Sequence, residues 1–134
     1  MKNIQTILLW LISIALAAFF IYKGLTKHWL GACKVYPADS PIPQDYINVI
    51  TAFCNAGFLK MVGALQILSG VLLLVPRTRL LGAVLLLPVI FNIFMIHFFL
   101  DNRPEELVES GIPLLGNILL IALMANKWKV LFAK

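Results

Sequence analysis

Four polar side chains stand inside apolar stretches of this chain. Gln66 and Asn92 fall near the middle of two hydrophobic runs, Asn117 lies within a third, and His97 is followed at i+4 by Asp101. An amide at membrane depth is costly unless it is paired, so it bonds to a neighbouring helix or holds a ligand. The common use is interhelical bonding, which contributes about 0.6–2 kcal/mol per bond. The sharper reading is that Gln66, Asn92 and Asn117 line a pocket for the polar head of a lipophile such as a quinone. A neutral imidazole at His97 could bond a quinone carbonyl or pass protons to the nearest water layer. The plainer alternative is a histidine capped by Asp101 or by a backbone carbonyl.

The two cysteines, Cys33 and Cys54, lie 21 positions apart between the first and second apolar runs. An even count in an oxidising compartment suggests a disulfide. Lys34 beside Cys33 would lower a thiol pKa, so a redox pair stays open as an alternative, although the chain has no Cys-x-x-Cys. His28, His97, Cys33 and Cys54 lack the close spacing of zinc or iron ligands, and no metal is expected.

These residues need a scaffold, and the apolar runs supply it: 4–22, 58–75, 80–100 and 112–125. A helix needs roughly 20 apolar residues to cross a hydrocarbon core. Hydrophobic residues make up 61% of the chain and charged residues 13%, with mean hydropathy +0.94. Lipid offers backbone groups no water, so each run should be a helix, and barrel-type alternation is absent. The expected fold is an all-α integral membrane protein, a four-transmembrane-helix bundle forming a single membrane domain over 1–134. Lys2, the apolar stretch and Ala15-Leu16-Ala17 also fit a cleaved signal, but the run continues through Tyr22, which favours a retained helix.

The net charge of +5 is modest. Its lysines and arginines flank the runs as topology signals and headgroup anchors, and no nucleic-acid partner is expected. With the N-terminus inside, Lys2, Arg77, Arg79, Lys127, Lys129 and Lys134 are cytoplasmic, and all six acids lie outside. The short Pro76-Arg77-Thr78-Arg79 turn supports that orientation, so both termini are expected in the cytoplasm. Both cysteines then fall in an outer loop over 23–57, with a short helix over 43–54. Pro43-Gln44-Asp45 reads as its start, with Pro tolerated in the first turn and an acid near the positive end of the dipole. Asn55-Ala56-Gly57 marks the bend into the second span.

Gly63, Gln66 and Gly70 share one helix face, which reads as a close helix contact. In the third run, Pro88 removes a backbone donor and releases the carbonyl of Val84, so a kink is expected there. Gln66, Asn92 and His97 are expected to face the bundle interior. Asn92 and His97 lie about 140° apart on an ideal helix, so both can be interior only if that helix is enclosed on two sides.

Asn55-Ala56-Gly57-Phe58-Leu59 followed by Gly63 to Leu74 resembles the second helix of the DoxX-like membrane proteins. Leu87 to Asp101, with its Pro-x-x-x-Asn-Ile-x-x-x-His pattern, is similar to that family's third helix, and Phe20 to Lys27 resembles the end of its first. The fourth run matches in hydropathy alone. The family commonly has Glu in the second helix where this chain has Gln66, so a proton-carrying role is not carried over. The resemblance implies a small four-helix fold and an association with quinone-linked redox chemistry.

The resulting expectation is a lipophile- or quinone-associated subunit of a redox system in the cell inner membrane. The site would draw on Gln66, Asn92, His97 and Asn117, with Lys23 and Lys27 at the outer end of the first helix. A structural or accessory subunit, and a thiol-disulfide protein cycling Cys33 and Cys54, stay open as alternatives. Expected partners are the lipid bilayer and either a membrane or redox subunit or a second copy of the chain.

Overall fold

The computed structural model describes residues 2–29, 31 and 33–128, with the side chains of 2, 27–29 and 128 outside the described set. The described residues form six α-helices: α1 (Lys2–Lys23), α2 (Gln44–Asn55), α3 (Phe58–Leu74), α4 (Arg79–Ile96), α5 (Pro104–Leu123) and the short α6 (Ala125–Trp128). Two π-turns extend α1 and α4, over Gly24–Trp29 and His97–Asp101. Counting those turns, three helical stretches are long and apolar enough to cross a membrane, Asn3–Thr26, Arg79–Asp101 and Pro104–Leu123. The pair α2–α3, bent by 80°, makes a fourth if taken as one broken span.

The last long helix begins eight residues earlier than the apolar run that predicts it. Hydropathy alone misplaces this start, because Glu105, Glu106 and Glu109 read as a loop. The local chemistry explains the helix: Pro104 occupies the first turn, and Glu105 and Glu106 sit at the positive end of the dipole. The same signature correctly marks α2, which starts at Gln44 with Asp45 in its first turn.

Helix α1 packs on α3 and α5, and α4 packs on both α3 and α5. Leu16, Ala17, Phe20, Leu73, Ala83, Leu86, Ile90, Leu114 and Leu120 form the shared core. The expected glycine face of α3 is its buried face, with Gly63, Gln66, Ser69, Gly70 and Leu73 all enclosed. A Cβ on Gly24 would stand 2.7 Å from the carbonyl oxygen of Gly63, so the first π-turn touches the α3 backbone only because Gly24 lacks a side chain. The outward faces are strongly apolar: Leu11 is 60% exposed, Phe99 74% and Leu115 68%.

At Gly57 the backbone takes φ +83°, a left-handed conformation that glycine adopts without steric cost. This residue sets the bend between α2 and α3. It turns α2 away from the α3 axis and across the end of α4, where Tyr46 packs its ring on His97 with centroids 5.3 Å apart. Helix α4 runs unbroken through Pro88.

Candidate functional site

The polar centre of the molecule forms where α4 gives way to its π-turn. A π-turn closes i→i+5 hydrogen bonds and widens the helix locally. Here the backbone N–H of Asn102 donates to the carbonyl of His97. Asn102 then takes φ 54°, a conformation its short polar side chain tolerates, and the chain reverses into α5. His97 and Asp101 are thereby held side by side, both buried.

The Asp101 carboxylate is fully enclosed and organises its neighbours. It accepts from Nε and Nη2 of Arg103 at 2.6 and 2.8 Å, a two-pronged guanidinium fork. Nδ1 of His97 lies 3.1 Å from its Oδ2, a bond the ring makes as the Nδ1–H tautomer or as imidazolium. Bonding to Asp101 raises the Arg103 pKa above its already high ordinary value. Glu106, from the first turn of α5, completes the cluster at 3.6 Å from Arg103 Nη2 and 3.8 Å from His97 Nε2. Two carboxylates thus face one permanent cation, with the His97 ring set between them.

Two cavities meet at this cluster. The smaller, about 60 Å³, is bounded by Lys23, Gln66, His97, Glu106, Glu109 and Ser110 together with apolar side chains of α1 and α4. It has room for a few water molecules and the polar partners they need. Gln66 is 2% exposed, and its Oε1 has no hydrogen-bond partner among the described residues. At the mouth, Lys23 Nζ and Glu109 Oε1 form an ion pair at 2.6 Å.

The larger cavity is a cleft of about 1040 Å³ between α2, α3 and α4. Leu65, Leu85, Val89 and Ile96 make much of its wall, and Asn92, His97, Arg103 and Glu106 bring polar atoms to it. Tyr36, Lys34 and both cysteines line it as well. Cys33 and Cys54 are joined as a disulfide that ties the irregular loop to the end of α2. Burial raises the Tyr36 pKa, which keeps this phenol a neutral donor beside the cleft. His97 and Glu106 belong to the walls of both cavities.

The residues singled out in the sequence therefore divide. His97 and Asn92 share the large cleft, while Gln66 and Lys23 border the small cavity. Asn92 departs from the expected interior position. It is exposed on the cleft wall, because α2 bends away and leaves that side of α4 uncovered. Its Nδ2 donates to the carbonyl of Pro88, one turn back, at 2.8 Å. Asn117 lines neither cavity. It is wholly buried and donates from Nδ2 to the Ala83 carbonyl at 3.0 Å, a bond that joins α5 to α4. The Lys27 and His28 side chains lie outside the described residues.

Tyr36, Tyr46, Arg103 and Glu106 complete the site without having been singled out as site residues in the sequence. The available signal was the proline-acid helix start at Pro104, which carries Glu106 onto the first turn of α5, back toward His97. His97, Asp101 and Glu106 also bring one ligand-type atom each within 4.8 Å of one another. Arg103 already engages both oxygens of Asp101, so a cation there would have to displace a guanidinium.

The chain is similar to YwoB of Bacillus subtilis (strain 168), an uncharacterized protein, with 37% identity over 92 residues. That match covers 66% of this chain and 59% of the relative, so the chain spans less than two thirds of that protein's length. No family model matches the chain, and no solved structure does.

Proposed function

We propose that this chain is a DoxX-like integral membrane protein, a four-transmembrane-helix bundle that holds a lipophile of the quinone class and serves as a small subunit of a redox system. The observation that carries this reading is the 1040 Å³ cleft, with its apolar walls and His97 at a polar patch. Ligand sites of this kind bury an apolar body and fix its orientation with a few polar groups. The apolar outer faces of α1, α4 and α5 suit acyl chains.

The chemistry of the patch fits a quinone head. The second N–H of the Asn92 amide is free of the Pro88 bond and can donate to a carbonyl. Neutral His97, bonded through Nδ1–H to Asp101, presents Nε2 as an acceptor for a hydroquinone hydroxyl. As an imidazolium it presents a donor to the quinone carbonyl instead. Proton transfer at Nε2 would thus accompany the change in the head's oxidation state.

Native mass spectrometry of the purified chain with lipid extraction tests the reading. We expect a co-purified quinone in near-stoichiometric amount, and its loss on filling the cleft with Val89→Trp. Retention of phospholipid alone would favour an accessory membrane subunit. The proposed location is the cell inner membrane, with both termini cytoplasmic and the Cys33–Cys54 loop outside, where a disulfide persists. A membrane-impermeant maleimide added outside should leave Pro76→Cys unlabelled, and labelling there would invert the orientation.

A further inference from the structure

The Cys33–Cys54 pair lies in the wall of the same cleft that holds Asn92 and His97. A staple that only restrained the loop could sit anywhere along it. The two sulfurs also differ in surroundings: Cys33 is exposed and Cys54 half-buried. Lys34, next to Cys33, lines the cleft and brings a positive charge that favours a thiolate. One cysteine of the pair is thus open to an external thiol, and both border the space assigned to the lipophile.

We infer that Cys33 and Cys54 form a redox pair that passes electrons from an external protein dithiol to a quinone in the cleft. The inference rests on the quinone reading of that cleft. In the first half, a substrate thiolate attacks Cys33 Sγ and breaks the Cys33–Cys54 bond, forming a mixed disulfide and releasing the Cys54 thiolate. The second substrate thiolate then displaces Cys33, leaving the substrate oxidised to a disulfide and Cys33 and Cys54 reduced. In the second half, the Cys33–Cys54 bond re-forms, and two electrons and two protons pass to the quinone, which leaves as hydroquinone. The balance is one substrate dithiol oxidised per quinone reduced, with the cysteine pair returned to its starting state. The two protons are those the Cys33 and Cys54 thiols release; His97, with Nε2 free of Asp101, can accept one there and pass it on to the quinone oxygen.

The test uses the full chain in lipid nanodiscs, reduced with a phosphine, freed of reductant and kept without oxygen. A short-chain benzoquinone substituted at every ring position except the tail is added, so that simple thiol addition to the ring is suppressed. Thiol state is read by alkylation and intact mass. The expected result is closure of the disulfide with one hydroquinone formed per chain. Closure should be at least about 100-fold faster than oxidation of a free dithiol at equal concentration, because the reactants are held together. Cys33→Ser and Cys54→Ser should each abolish hydroquinone formation. Native mass spectrometry of the double-serine variant measures quinone binding separately. Binding with no oxidation of the reduced wild-type pair would overturn this inference alone. Absence of binding to both the wild-type chain and the variant would overturn the quinone reading with it. If the serine variants fail to fold, the wild-type thiol measurement still decides.

Discussion

The two ends of the helix assembly solve the problem of helix termini in opposite ways. At the end formed by the α3–α4 turn, side chains from the turn itself bond the last carbonyls of α3. Thr78 Oγ1 donates to Leu72 at 2.9 Å, and Arg79 Nε donates to Leu73 at 3.1 Å. The Arg79 guanidinium lies over the Trp10 ring of α1, 4.3 Å from its centre, and Gln5 Nε2 reaches the Leu123 carbonyl of α5. That end is closed by direct side-chain contacts within the turn and between helices. At the other end the helices are extended by π-turns, α2 swings out at Gly57, and Asp101 gathers His97 and Arg103 around itself. Two cavities remain there. One end holds the helices together, and the other holds them apart around polar atoms, which is where chemistry is to be sought.

If that contrast is right, the open end depends on its one buried carboxylate. Asp101→Asn removes the charge that both Arg103 and His97 face, and leaves the guanidinium beside an amide. The Arg103 side chain is 29% exposed and keeps Glu106 nearby, so losing this part-buried pair is expected to cost about 2–3 kcal/mol. Thermal unfolding in detergent should show the loss, and quinone or lipid retention should fall with it. A change below about 1 kcal/mol would mean that packing of α2, not the ion cluster, shapes this end.

The closed end should be most sensitive at its backbone contact. A Cβ on Gly82 would meet Leu72 Cβ and the Ser69 carbonyl oxygen, each at 2.9 Å. Neither can move without shifting α3, so Gly82→Ala is expected to cost about 2 kcal/mol through overpacking. Binding of the proposed lipophile at the far end should be unchanged. Loss of both stability and ligand would show that the two ends are mechanically one.

Arg79→Lys gives a smaller effect. Lysine retains the charge but loses the planar fork that bonds Leu73 while stacking on Trp10. The expected loss is about 1 kcal/mol in the same unfolding measurement. An unchanged melting temperature would assign the capping to Thr78 alone.

The helical class was legible because hydropathy is a local signal, and so was the start of α2, from its helix-start chemistry; the start of α5 was read eight residues late because its three acids look like a loop. The Gly63, Gln66 and Gly70 face was legible too, since it follows from rotation along one helix. What escaped was set by tertiary geometry. Asn92 is exposed because a bend 35 residues earlier, at Gly57, moves its cover away. Asn117 bonds Ala83, in a different helix, and hydropathy carries no record of that partner. The joining of His97 and Asp101 to Arg103 and Glu106 depends on a π-turn, and helical periodicity assumes α-geometry throughout.

The smallest expected effect belongs to the ion pair at the mouth of the small cavity. Lys23 and Glu109 are 28% and 43% exposed at their side chains, so water screens them and their rotamers are costly to fix. Lys23→Ala should therefore change stability by no more than about 0.5 kcal/mol. The lysine also lies 5.7 Å from the Phe19 ring centre, a contact that adds little at an exposed site. Its more telling readout is access. With Lys23 truncated, the small cavity should open to water, and solvent hydrogen exchange at the α1 end should quicken while the melting temperature holds. A large loss of stability instead would place Lys23 among the groups that hold the open end together, beside Asp101 rather than at its rim.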